Sequence, residues 1–531
     1  MKSAVRPLSV VLVCAALAAC GGGSSSHSID STGTPGNAEL TPEGGSAGQN
    51  PDNSGGTGPS TALANQCAKP RTGTDPATGT AYPDRAGTLE NEKSWVRAWI
   101  DETYLWYSEV PTSLKASDYT TPQAYFDVLK TPAKTASGAD KDRFHYFLDT
   151  AAFQGETAGT GTVGYGMEVA LLSTVPPRQV RVAFVTPGTP AALKGLNRGD
   201  TLVKLDGVDV ANGDPAALNA ALFPTSAGES HTMTVTSNAG ITREVTLTSA
   251  VVVPDPVMNV STIATGNGLV GYVQFNDHNE QAETELADAI DKLKALNITE
   301  LVLDMRYNGG GLVGIASELA YMVAGPGPTQ GKTFERMVTN NKNPYGLTDE
   351  EANFPFAATA IGYSLPADQP LPNLGLNKVT VLSGPDTCSA SEAVVNGLRG
   401  VGVTVNLIGA TTCGKPYGFF PTDNCGTTYL AINFQGVNAQ GFGDYGDGMA
   451  PNPGCTVADD FNHDLGDRNE ARLAAALAFS QTGACPAPSS TSAGSGLNKS
   501  TGPLLESPYL RPNPLRNNKR VDGLLRSSAK L

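Results

Sequence analysis

The C-terminal half of the chain switches repeatedly between two hydrophobic periods. Leu269 to Phe275 is a run of apolar and β-branched residues, the composition of a buried strand. Glu283 to Leu296 then places Leu286, Ala289, Ile290 and Leu293 on one face at helical spacing. Leu301 to Met305 is strand-like, Leu312 to Val323 helical, Lys378 to Ser383 strand-like, Ala390 to Leu398 helical and Val403 to Ile408 strand-like. Thr427 to Phe434 predicts another strand and Glu470 to Phe479 a closing helix. This alternation predicts a mainly parallel sheet covered by helices, with a site beyond the carboxyl ends of the strands. Residues 325–376 interrupt it with a long irregular stretch, expected as a lid or surface excursion.

Upstream the pattern changes. Asn91 to Tyr107 holds all three tryptophans, Trp95, Trp99 and Trp106, with Val96, Ile100 and Tyr107 extending one apolar face. A helix packed on its neighbours is the expected role, and a substrate-facing aromatic surface is the alternative. Thr121 to Leu129 predicts a second short helix, and Arg143 to Leu148 is a further aromatic segment. These place a small helical N-terminal region over 86–155. Between 160 and 255 lie strand-length runs, among them His231–Ser237 and Arg243–Ser249, which turn at Asn238-Ala-Gly240. A core domain then spans 256–485. Residues 20–85, poor in large apolar side chains through 66, predict a flexible tether, and 486–531 a disordered tail.

The first residues read as an address. Lys2 and Arg6 precede an apolar run, Leu8 to Ala19, too short to span a bilayer but suited to a signal segment. The run ends in Leu17-Ala-Ala-Cys20-Gly21, which resembles a bacterial lipoprotein signal. That resemblance implies removal of 1–19 and a lipid on Cys20. The chain would then be anchored in the bacterial cell envelope, and with no Asp after Cys20 the outer membrane is favoured, facing periplasm or surface. An ordinary secretory signal with an incidental cysteine is the alternative. Setting Cys14 and Cys20 aside leaves Cys67, Cys388, Cys413, Cys425, Cys455 and Cys485. An even set in an exported chain predicts disulfides, with the pairing open. None has zinc-site spacing, so no metal and no cofactor is expected. A net charge of −15 argues against a nucleic-acid partner, which calls for a basic surface.

Candidate chemistry concentrates in 377–419. Gly384-Pro385-Asp386 breaks a strand, and Ser389 stands where the next helix begins, among backbone N–H groups that lack partners within the helix. Such groups can hold an oxyanion formed beside a nucleophilic serine. Ser389-Ala-Ser-Glu392 is equally a capping box. Of five histidines none sits in a comparable setting; His278, in Asn-Asp-His-Asn after a strand, reads as a surface turn, with a base as the alternative. Lysine can replace histidine as base when burial favours its neutral form, and Lys415 ends the loop after the next strand. Asn308-Gly-Gly-Gly311, between a strand and a helix, allows close backbone approach and offers N–H groups. It lacks the G-x-G-x-x-G spacing of a dinucleotide site. Cys388 as nucleophile is disfavoured by its exported setting.

D-M-R-Y-N-G-G-G (304–311), S-A-S-E (389–392) and T-C-G-K (412–415), in this order and spacing, resemble the C-terminal processing (tail-specific) serine protease family. The resemblance covers roughly 90–485. It implies an α/β ClpP/crotonase-like core, a mainly parallel sheet with helices, interrupted by an inserted α+β PDZ domain over 160–255. By position it makes Ser389 the nucleophile, Lys415 the general base, the N–H groups of Gly311 and Ala390 the oxyanion hole, and Glu392 and Thr412 supporting residues. Many members carry Gln four residues after the lysine; here Phe419 stands there. Val182 to Asp209 resembles a PDZ core, so Gly164, Tyr165, Gly166 and Met167 are expected to grip the terminal carboxylate of a protein or peptide substrate. The implied function is an endopeptidase acting on exported proteins with free, apolar C-termini; an inactive peptide-binding lipoprotein is the alternative.

Overall fold

The computed structural model describes residues 59–173 and 175–486 and the backbone of 520–521. The signal segment, Cys20 and most of the expected tail lie outside the described residues. No helix among the described residues is long and apolar enough to cross a membrane.

The N-terminal region is built on α1, Leu89–Thr103. Thr88 and Asn91 cap it reciprocally, and Glu90 and Glu92 suit the positive end of its dipole. The apolar stripe packs inward, as helical spacing dictates. Trp95 and Trp99 stack 5.5 Å apart and are buried with Phe126, Phe144 and Tyr429. They are therefore packing residues, not a substrate surface. Trp106 is partly buried and meets Tyr417 edge-on at 4.8 Å. The expected tether ends earlier than composition suggested. Cys67 is bonded to Cys425, Arg71 pairs with Asp84 at 2.8 Å, and Gln66–Cys67 runs parallel to Arg85–Ala86. Those cross-links hold a segment too poor in apolar residues to pack by itself.

Residues 160–255 form a six-stranded antiparallel sheet. Its strands are β1 Met167–Ser173, β2 Gln179–Val185, β3 Thr201–Leu205, β4 Val208–Asp209, β5 Ser230–Thr236 and β6 Thr242–Thr248. The order is β6-β5-β3-β2-β1, with β4 on β3. Alternate residues Val180 and Val182, Met233 and Val235, face Leu218 and Leu222 of α2, Pro215–Leu222. Thr162–Gly164 pairs with Ala250–Val252 where the chain enters and leaves, so the unit closes as an insertion. β1 is an edge strand.

The core sheet has the order β7 Val257–Thr265, β8 Gly268–Phe275, β9 Glu300–Asp304, β10 Lys378–Ser383, β11 Thr404–Gly409. β8 to β11 are parallel and β7 is antiparallel to β8. Pleating divides the side chains. Leu301 and Leu303 face helices α3 Ala282–Ala295, α4 Val313–Ala324 and α5 Ala390–Gly400, while Val302 faces α6 Ala471–Thr482. The carboxyl ends of β9 and β10, side by side, launch the two glycine- and serine-bearing segments.

The 325–376 stretch is only partly an excursion. Thr333–Thr339 joins a second sheet with Asn353–Pro355, Phe434–Val437 and Tyr417–Gly418, and Phe354, Phe356 and Leu371 cover the core helices. Thr427–Phe434 is correspondingly split, with Thr427–Leu430 pairing Tyr146–Asp149. Two buried carboxyls pin the stretch down. Glu283 accepts the N–H groups of Gly362, Ser364 and Leu365 at 2.6–2.8 Å, and Glu318 accepts that of Ile361 at 2.8 Å. Burial, with the neighbouring Glu283 charge adding to it, pushes Glu318 up to about 9.

Glu318 thus stays protonated in the fold at pH values where the unfolded chain has released its proton. Its stabilisation is complete below the ordinary carboxyl range and is lost as pH rises through about 9. Glu318→Gln should therefore lose less stability than the parent between pH 5 and pH 9, by roughly 5 °C in Tm. Parallel Tm–pH curves for the two chains would refute the assignment.

Candidate active site

The turn after β10 is fastened to the segment after β9. Thr387 Oγ1 donates to the Met305 carbonyl at 2.8 Å, and the Cys388 N–H donates to the Asn308 carbonyl at 3.1 Å. Ser391 Oγ donates to the same carbonyl at 3.0 Å. Asn308 Oδ1 in turn accepts the Gly310 N–H at 2.9 Å. Gly310 has φ +97°, and a Cβ there would lie 2.9 Å from Ser389 Cβ and 2.8 Å from the Ala390 nitrogen. Only glycine permits that approach. The structure thus places Ser389 and Ala390 against the glycine run.

Ser389 is the residue before α5 and is fully buried, with φ 59° and ψ −113°. A non-glycine residue holds such a conformation only when its surroundings enforce it. Ser389 and Glu392 face each other as in a capping box, but one arm closes. Glu392 Oε2 accepts the Ser389 N–H at 3.0 Å, whereas Ser389 Oγ has no partner of hydrogen-bonding geometry.

Glu392 also gathers the lysine loop. Its Oε2 accepts the Lys415 N–H at 2.8 Å, and its Oε1 accepts the Gly414 N–H at 2.9 Å and the Thr412 hydroxyl at 2.5 Å. Burial raises the Glu392 pKa, and these donors pull it back. Cys388 and Cys413 are joined by a disulfide between the two segments. Both sulfurs lie close to the Glu392 carboxylate, but as a disulfide they are not thiolate ligands. Arg143 from the N-terminal region donates to the Cys413 carbonyl at 2.7 Å and to the Gly446 carbonyl at 3.1 Å. Lys415 is fully buried, with Nζ 4.0 Å from the Phe419 ring centroid and 5.2 Å from that of Phe144. Phe419 therefore packs on the amine and continues into the N-terminal aromatic cluster.

His278 departs from its expected surface turn. It is fully buried, its Nδ1 is 3.0 Å from Asn308 Oδ1, and its carbonyl accepts the Leu312 N–H at 2.9 Å. Because Asn308 Oδ1 is an acceptor, Nδ1 carries the hydrogen. Burial lowers the pKa to about 3, so the ring is neutral. His278 braces Asn308 and Gly311; the polar residues around it in sequence gave no sign of this. The backbone of Arg520–Val521 pairs in parallel with Gly311–Leu312, which corrects the tail expectation at those two residues.

Gly164, Tyr165, Gly166 and Met167 lie apart, at the start of β1. Tyr165 is a core side chain whose hydroxyl donates to the Ala221 carbonyl at 3.0 Å, so only its backbone can serve a ligand. The Gly166 carbonyl accepts the Thr186 N–H at 2.8 Å, and Gly166 has φ +75°, packed against Thr189. The inserted unit touches the site segment through charge. Arg198 donates to Tyr307 Oη at 2.8 Å and to Asp459 Oδ1 at 2.6 Å. Arg306 donates to Asp304, Asp459 and both oxygens of Glu470. Sequence reading missed this cluster, because its members are distant in the chain.

Residues 269–424 match the sequence profile of Peptidase family S41, and 91–146 that of the Peptidase S41 N-terminal domain. The chain is 27% identical over 235 residues to carboxyl-terminal-processing peptidase 2, chloroplastic, of Arabidopsis thaliana, covering 42% of this chain and 44% of that protein. It is 29% identical over 270 residues to the chloroplastic C-terminal processing peptidase of Tetradesmus obliquus, covering 46% and 52%. The chain thus spans about half the length of these curated relatives. A crystal structure assigned to the S41 proteases, from Bacteroides fragilis, superposes with a TM-score of 0.55 at 22% identity, over 75% of this chain and 98% of that one, a likeness of fold.

Gly310→Ala would force a Cβ into the Ser389–Ala390 contact at a left-handed φ. It should cost about 1–3 kcal/mol of stability, read as a lower denaturation midpoint. An unchanged midpoint would show that the contact is looser than drawn.

Proposed function

We propose that this chain, which carries the two domains of peptidase family S41, is a serine endopeptidase using a Ser389–Lys415 dyad. The observation that carries the reading is the convergence at one buried carboxylate. Glu392 holds the backbone of both Ser389 and Lys415, while Ser389 Oγ is left without a hydrogen-bond partner beside the glycine run. In the reaction, neutral Lys415 takes the Ser389 proton as Oγ attacks a peptide carbonyl. The N–H groups of Gly311 and Ala390 receive the oxyanion. Lys415 passes the proton to the leaving amine, and water releases the acyl group from Ser389. Substrate main chain adds as a strand along Gly311–Leu312. Pairing of the chain's own Arg520–Val521 with that edge supports this. Ser389 and Lys415 are both out of water, so peptide entry requires neighbouring segments to part.

The 160–255 unit serves as a PDZ module. The backbone of Gly164–Met167 takes a terminal carboxylate and the free edge of β1 pairs with an apolar tail. Substrates are exported or envelope proteins, and the enzyme is held in the bacterial envelope by lipid on Cys20. One observation favours a second reading, a peptide-binding lipoprotein without turnover. Phe419 places an aromatic ring against Lys415 where the family resemblance calls for Gln.

An unfolded protein with an apolar C-terminus should be cleaved by the parent chain. Ser389→Ala and Lys415→Ala should each reduce kcat by about 10³-fold or more. Activity should rise from pH 6 to pH 9, since the base works deprotonated. Tail binding without cleavage at any pH would favour the second reading, and full activity in either variant would sink the dyad.

A further inference from the structure

We propose that the Cys388–Cys413 disulfide is a redox gate on the Ser389–Lys415 pair, closing the working geometry when formed and switching peptidase activity off when reduced. The inference rests on the roles of Ser389 and Lys415 given above.

Its position argues for this. One sulfur belongs to the residue directly before Ser389 and the other to the residue two before Lys415, with Cα atoms 5.1 Å apart. The two segments leave the paired strands β10 and β11, and this disulfide is their covalent link. Their other links are non-covalent. The Cys413 N–H donates to the Thr387 carbonyl at 3.0 Å, and Glu392 holds both segments through backbone N–H groups. Ser389 must keep a backbone conformation that it would leave if released (φ 59°). Gly414, at φ +85° between Cys413 and Lys415, is packed against the backbone of Gly446 and Gly448, so the lysine loop, like Ser389, holds a backbone that its surroundings enforce. The other two disulfides do not reach the pair. Cys67–Cys425 ties down the N-terminal segment, and Cys455–Cys485 joins the segment before α6 to the residues after it.

The bond is also reachable and its opening has a consequence. Cys388 is fully buried, but Cys413 is only partly so. A dithiol reductant can attack Cys413 Sγ and expel the Cys388 thiolate. Its second thiol then closes on the mixed disulfide. Cys388 and Cys413 each gain an electron and a proton, and the reductant leaves as its own disulfide. Reduction leaves Cys413 Sγ as a thiol beside Glu392 Oε2, which lies 3.3 Å from that sulfur in the disulfide-bonded structure. Its S–H then competes for the oxygen that accepts the Ser389 and Lys415 N–H groups. The same carboxylate that aligned the pair is drawn away from it.

The test uses the full exported chain, with an unfolded protein ending in an apolar tail as substrate and a fluorophosphonate as serine label. Cys388→Ser/Cys413→Ser should lower kcat about 10–100-fold, as expected for ångström-scale misplacement. KM should stay within about twofold, labelling should slow in parallel, and the remaining activity should no longer respond to dithiothreitol. Cys67→Ser/Cys425→Ser should keep its kcat and its response to reductant. If the first variant does not fold, graded reduction of the parent decides. Activity should fall in proportion to the fraction of 388–413 pairs opened, measured by alkylation and mass spectrometry. Full kcat in the double variant, or loss that instead follows opening of the 67–425 or 455–485 pair, overturns the gate while leaving the peptidase reading intact. No cleavage by the oxidised parent overturns that reading itself.

Discussion

The site depends on one buried carboxylate. Glu392 is sealed from water and answers four donors, the N–H groups of Ser389, Gly414 and Lys415 and the hydroxyl of Thr412. Each donor, left unpaired in this interior, would cost about 1–3 kcal/mol. Burying a carboxylate alone is expensive, and burying four donors alone is expensive; together the costs offset. That exchange explains how a helix start and a loop more than twenty residues later come to share one point in space. It also explains why Glu392 sits at the third helical position, where its side chain reaches back over the first turn. The capping geometry is retained, but Glu392 closes it from the carboxylate side and Ser389 Oγ is released from it.

Around this point, independent anchors arrive from every layer of the fold. The sheet supplies the turn after β10 and the glycine run after β9, fastened by Thr387, Ser391 and Asn308. The N-terminal region supplies Arg143 against the lysine loop and the aromatic cluster that takes in Phe419 and Cys388. A neutral, buried His278 holds Asn308 from beneath. None of these contacts is strong individually, since a typical intramolecular hydrogen bond contributes about 1 kcal/mol net. Their common effect is to over-determine a serine backbone that would relax if left to itself.

Much of this was legible in the sequence where the signal is local. The alternation of periods located β8 to β11 and α3 to α5 to within a residue or two, because a half-buried helix and a fully buried parallel strand each impose a pattern on their own residues. The glycines of 309–311 and the Ser-x-x-Glu step could be read for the same reason. What could not be read is what depends on partners far along the chain. His278 lies among polar neighbours and looks like a surface turn, yet the fold buries it against Asn308. Residues 67–86 have the composition of a tether, yet Cys67–Cys425 and the Arg71–Asp84 pair hold them in place. The 325–376 stretch lacks periodicity because its apolar residues patch two different surfaces. The six cysteines allowed many pairings, and only the positions of their backbones select among them.

The link between the inserted unit and the site follows from the same physics of buried charge. Arg198 belongs to the insertion, Tyr307 and Arg306 to the segment that ends in the glycine run, and Asp459 and Glu470 to the polypeptide that closes the other face of the sheet. Against the lowering effect of burial, attraction to Asp304, Glu470 and Asp459 holds the Arg306 pKa well above its usual value. Asp459 is correspondingly driven far below the carboxylate range, burial being overcome by Arg472, Arg306 and Arg198. Removing one member of such a cluster strands the rest, at a cost of about 3–5 kcal/mol. A displacement of the insertion that pulled Arg198 away would incur that cost. One that carried Arg198 along would drag Tyr307, and with it the backbone two residues before Gly309. The insertion and the segment that ends in the glycine run are therefore joined through one buried charge cluster, whose members hold each other in place.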